Sequence, residues 1–104
     1  MKQDSEKMVE EKVIMMVAAG KALAFMEKKP RADAEQVLRY VMKEIKADKK
    51  EKIGAIAAAN FAVKYRQKNP EATSRKIMQE IMKEINNIIK SINNEDYYSD
   101  ENNQ

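Results

Sequence analysis

With 104 residues and neither cysteine nor histidine, the chain has room for one small domain. It lacks disulfide staples, the commonest metal ligand, and the side chains that most often do acid–base or nucleophilic work near neutral pH. The formal charge of +3 is uneven: Glu95, Asp96, Asp100 and Glu101 all fall beyond Asn93, so residues 1–93 carry 20 bases against 13 acids, a net +7.

The chain repeats itself. Residues 11–46 align with residues 51–86 at an offset of 40, and 12 of the 36 pairs are identical, including Ala18/Ala58, Ala19/Ala59, Ala22/Ala62 and Pro30/Pro70. The run Met42-Lys43-Glu44-Ile45 returns as Met82-Lys83-Glu84-Ile85. A repeat of this period encodes one supersecondary unit, usually a helical pair that cannot bury its apolar face alone.

The first helix is expected to start at Asp4 or Ser5, either of which can cap it, and to run to about Lys28, where Pro30 blocks continuation. The opening residues Met1 to Lys7 read as a helix start rather than a secretory signal. The apolar stretch Val13–Met26, interrupted by Lys21, is too short to span a bilayer comfortably, so no membrane role is expected. This helix is apolar on most faces: Val9, Val13, Met16, Gly20 and Leu23 form one seam, Met8, Met15, Ala19, Ala22 and Met26 another, with Ile14, Ala18 and Phe25 besides.

Asp33 with Gln36 has the spacing of a capping box and opens a second helix whose seam is Leu38, Val41 and Ile45. The next boundary is weak. Asp48 with Glu51 reads as another capping box, yet residues 46–52 contain no Pro or Gly, so the second and third helices could fuse into one and pair with a second copy as a domain-swapped dimer. The third helix repeats the first with smaller residues, among them Gly54, Ala55, Ala58, Ala59 and Ala62, and carries Asn60 on its apolar stripe. Small residues four apart let backbones approach closely, which makes the first and third helices the expected central pair. Thr73 starts the fourth helix with half a capping box, because Lys76 replaces the acceptor; its seam is Met78, Ile81, Ile85, Ile88 and Ile92. Residues 94–104 read as a disordered acidic tail in which Tyr97-Tyr98 could dock a partner.

The expected architecture is all-α: four helices as two tandem hairpins with a pseudo-twofold repeat, forming an antiparallel bundle over residues 1–93. Surplus apolar surface on the first helix predicts a non-catalytic protein-interaction module, a small cytoplasmic regulator or adaptor that self-associates as a homodimer or takes a protein partner, with Met8, Met15, Ala19, Ala22, Phe25 and Met26 at the contact. The rival reading is a nucleic-acid-binding protein. Lys28, Lys29, Arg31, Arg66 and Arg75 fall near the two Pro-marked turns, which the repeat places at one end of the bundle. Lys46, Lys49, Lys50 and Lys52 belong to the other end. No enzyme, cofactor, metal or small-molecule substrate is expected. Gly20 and Gly54 lie inside helical patterns rather than in a phosphate loop, and Glu44, Glu80 and Glu84, the one potential carboxylate cluster, have lysines nearby.

Overall fold

Four helices follow one another in the computed structural model, which describes the backbone of residues 2–102 and the side chains of residues 10–90. They are α1 (Lys2–Lys28), α2 (Ala34–Glu44), α3 (Lys49–Lys68) and α4 (Ser74–Asn102), with no strand among the described residues. Asp4 and Ser5, expected as caps, lie within α1 instead. At the other end, α4 continues past Asn93 to Asn102; Tyr97, Tyr98 and the seam residue Ile92 are outside the described side chains.

The two proline turns are built alike. Lys29 N–H donates to the Phe25 carbonyl at 2.8 Å and Ala32 N–H to that of Lys29 at 3.0 Å; forty residues on, Asn69 donates to Tyr65 at 2.8 Å and Ala72 to Asn69 at 2.9 Å. Each turn closes the last helical turn, and the proline that follows has no N–H with which to extend it. Asp33 then completes its capping box: its carboxylate accepts from Gln36 N–H at 2.8 Å, and Gln36 Oε1 accepts from Asp33 N–H at 3.0 Å. Thr73 makes only the forward bond, accepting from Lys76 N–H at 3.1 Å, as a lysine at the third helical position dictates.

Helices α2 and α3 are separate. Ile45 leaves the helix with φ −89° and ψ 118° while its side chain stays in the core, and the capping box of Asp48 with Glu51 forms with bonds of 2.8 and 3.1 Å. High helix propensity through residues 46–52 is overridden because the box satisfies the first amides of α3 and the extended step at Ile45 keeps an apolar side chain buried. Asp48→Ala is expected to cost about 1 kcal/mol in urea unfolding. An unchanged midpoint would mean that the cap contributes nothing to this boundary.

Helices α1 and α3 make the most extensive contact, α2 and α4 each pack on both, and among the described residues α2 and α4 make no contact with each other. The central pair expected from the small residues is therefore the pair observed. Ala18, Ala19, Ala22, Ala55, Ala58, Ala59 and Ala62 are all buried, with Met15, Leu23 and Val63 filling the contact. From the flanks α2 contributes Val37, Val41 and Ile45, and α4 contributes Ile77, Ile81, Ile85 and Ile89.

Those flanking lines differ in phase from the expected seams. The buried residues recur every four positions rather than alternately at three and four, and Leu38, Met78 and Ile88 sit at the edge, partly buried. A heptad seam suits two helices lying along each other, whereas α2 and α4 must each fill the groove between two helices, for which the i, i+4 ridge is the better fit. Asn60 is half-buried rather than a fully buried core polar group. From residue 21 to residue 43, burial matches position by position that of the residue forty places later.

Candidate functional site

The two proline turns meet. Pro30 and Pro70 line one cavity of about 340 Å³ together with Met26, Ala32, Val63, Arg66 and Gln67. The sequence repeat implied this convergence, since both turns follow helices of the central pair. Lys28, Lys29 and Arg31, beside Pro30 in sequence, and Arg75, at the start of α4, are exposed. Lys29 Nζ lies 5.5 Å from the centroid of the Phe25 ring, close enough for a cation–π attraction.

Arg66 is occupied differently. Its Nη2 donates to Ser74 Oγ at 3.1 Å, and the Ser74 hydroxyl donates onward to Glu27 Oε1 at 2.6 Å. This chain ties the C-terminal ends of α3 and α1 to the start of α4. Arg66 Nε is buried without a hydrogen-bond partner, so the bond from Nη2 to Ser74 is the one that ties this guanidinium to the fold. Sequence reading did not find this link. The available signal was the asymmetry of the repeat: Arg66, Ser74 and Glu27 correspond to Met26, Ala34 and Gln67, so the opposite half cannot make the same bonds.

The apolar residues expected at a contact surface fare unevenly. Met15, Ala19 and Ala22 are fully buried within the chain's own core, and as placed here they are not available to a partner. The small residues that made α1 look over-apolar are covered by the matching small residues of α3. Phe25 is half-buried and stacks on Tyr40, with ring centroids 4.7 Å apart. Met26 lines the turn cavity. The Met8 side chain lies outside the described residues.

What stays outside is a different set. Val13 is 53% exposed, Val17 44%, Met42 45%, Ile53 50% and Met82 57%. Val13 and Ile53 are repeat counterparts, as are Met42 and Met82. Val13 belongs to a seam in sequence, but α2 and α4 cover the two flanks of α1 and leave this outer line clear.

The carboxylates are engaged separately. Glu44 pairs with Lys21 at 3.7 Å, while Glu80 receives Lys76 at 3.3 Å and Lys83 at 3.2 Å. Hydrogen bonds from Lys83 and then Lys76 hold the Glu80 carboxyl below its ordinary 4.5. A depressed carboxylate pKa contributes stability above the ordinary value, and that contribution is lost as pH falls through the folded-state value. Glu80→Gln is therefore expected to narrow the gap between urea midpoints at neutral pH and in acid below pH 4.5; an unchanged gap would show that these pairs add no pH dependence. Among the described residues, no group of three His, Cys, Asp or Glu is placed to hold a metal ion, and no helix is long and apolar enough to cross a membrane.

Compared with known protein families, with curated proteins and with solved structures, the chain matches none.

Proposed function

We propose that this chain is a non-catalytic protein-interaction module, a small regulator or adaptor that associates with a second copy of itself. In this reading it is built as two tandem hairpins, α1–α2 and α3–α4, related by a pseudo-twofold axis; the matching turns, caps and burial at an offset of 40 support that arrangement. The observation that carries the functional reading is the set of large apolar side chains outside a core that is otherwise closed: Val13, Val17, Met42, Ile53 and Met82. Surface apolar residues scattered singly need no explanation. Four of these five fall on two repeat-related pairs of positions, so their exposure recurs with the repeat, and Val13 and Val17 lie one turn apart on the same side of α1. A swapped dimer would require residues 45–48 to become helical, which the Asp48 capping box opposes. Self-association is therefore read as docking of closed units. Light scattering on the full chain at several concentrations tests it: a mass that rises toward the dimer supports the reading, and a monomer at every concentration removes its self-association.

A second reading, binding of nucleic acid phosphates, is favoured by one observation. The turns carrying Lys28, Lys29, Arg31 and Arg75 converge on one end. It predicts binding to DNA or RNA that falls steeply with salt and is abolished when these four are reversed in charge, with Arg66 left intact to preserve its bond to Ser74. Fluorescence anisotropy at low salt checks it; no binding there would exclude it.

A further inference from the structure

The outer face of α1 carries a line of exposed apolar residues closed at each end by a charge. At 100° per residue, Glu10, Val13, Val17, Gly20, Ala24 and Lys28 fall within one narrow stripe, opposite the buried Ala18 and Ala22. Its flanks are fixed by contacts. Lys21–Glu44 and Phe25–Tyr40 place α2 along one side, and the Glu27–Ser74 bond places the start of α4 along the other. Every residue of the stripe is exposed except Gly20, which is half-buried.

Gly20 has no role inside the chain. Its φ is not positive, and a Cβ built on it would meet nothing within 4 Å. A glycine in a helix interior costs about 1 kcal/mol relative to alanine, so here that cost is uncompensated by any contact within the chain. Close approach of a second helix backbone at that point is the ordinary reason for such a glycine.

Charge then selects the partner. Glu10 and Lys28 stand at the two ends of the apolar line, about 27 Å apart along the axis. Two α1 helices crossing antiparallel with residue 19 at the centre bring Glu10 of one copy against Lys28 of the other, twice, whatever else adjusts. The corresponding face of α3 reads Lys50, Ile53, Ala57, Asn60, Lys64 and Lys68. Pairing it with itself would set Lys50 against Lys68 and bury Lys64 within the contact. Like charges facing one another disfavour association, whereas complementary ends fix register and direction.

We infer that the chain forms a twofold-symmetric dimer through the outer face of α1, with Gly20 at the helix crossing and reciprocal Glu10–Lys28 pairs at its ends. This rests on the self-association proposed above and names its surface. A contact of this kind is isologous: one face serves both copies and the assembly closes at two.

Sedimentation velocity on the full chain and four variants tests it. The wild-type chain is expected to dimerise at high micromolar concentration. Glu10→Lys and Lys28→Glu should each raise the dimer dissociation constant at least about tenfold, and the double exchange should restore it, because the reversed pair is again complementary. Gly20→Leu should abolish the dimer while leaving the circular dichroism spectrum intact and thermal stability unchanged or raised, since a Cβ at this position meets nothing within 4 Å and leucine favours helix over glycine. A wild-type dimer indifferent to Gly20→Leu and to both single reversals would overturn the inference and leave self-association standing on another face. A wild-type chain that never dimerises would overturn both.

Discussion

Leucine in place of Ala59 is expected to remove a large share of the chain's stability, up to about 3 kcal/mol. Ala59 is fully buried in a helix contact made of alanines on both sides: Ala18, Ala19 and Ala22 from α1 against Ala55, Ala58, Ala59 and Ala62 from α3. Three added carbons have no space to enter unless the two helices part, and parting them also lifts α2 and α4, which pack on both. Overpacking of this kind costs up to about 3 kcal/mol and occasionally more. A chain of this size has on the order of 5–15 kcal/mol in total. Ala57→Leu, two residues earlier but on the outer side of α3, is expected to change stability by less than about 0.5 kcal/mol. Urea unfolding of the two variants side by side checks the orientation of α3; equal effects would mean that its buried face is misassigned.

Ile81→Ala should be the most damaging truncation on a flanking helix. Ile81 lies at the middle of the buried line Ile77, Ile81, Ile85 and is fully enclosed. Removing three carbons there forfeits their transfer free energy and leaves a cavity that rigid neighbouring helices cannot collapse, about 2–5 kcal/mol together. At about 4–8 °C per kcal/mol for a domain of this length, the midpoint of thermal unfolding should fall by roughly 8 °C or more. Met82→Ala, its neighbour in sequence but 57% exposed, should move it by no more than a degree or two. A large effect at Met82 and a small one at Ile81 would mean that the buried face of α4 is misassigned.

Where the sequence was legible, the reason was local chemistry. Asp33 with Gln36 and Asp48 with Glu51 announce their capping boxes through spacing alone, and Pro30 and Pro70 end helices wherever they stand. The central pairing of α1 with α3 was also readable, because alanines four apart on two helices have few other uses.

Harder to read were the properties that depend on how much surface one chain covers. Met15, Ala19 and Ala22 look surplus when α1 is considered alone; only the matching small residues of α3 show that they are already covered. The phase of α2 and α4 depended on whether each lies along one helix or in the groove between two. The Arg66–Ser74–Glu27 link joins residues as far as 47 positions apart, which no spacing rule connects. The outer stripe of α1 went unread for a related reason. Val13 and Gly20 fit a seam in sequence, and they become an exposed line only once the flanks of α1 are known to be filled.

The mass of the full chain in solution, followed by light scattering from low to high micromolar concentration, tests the functional account most directly. The account predicts a monomer that converts to a dimer as concentration rises and goes no further, with the transition shifted modestly to higher concentration by added salt. A mass that stays at one chain throughout, or climbs without limit past two, would contradict it.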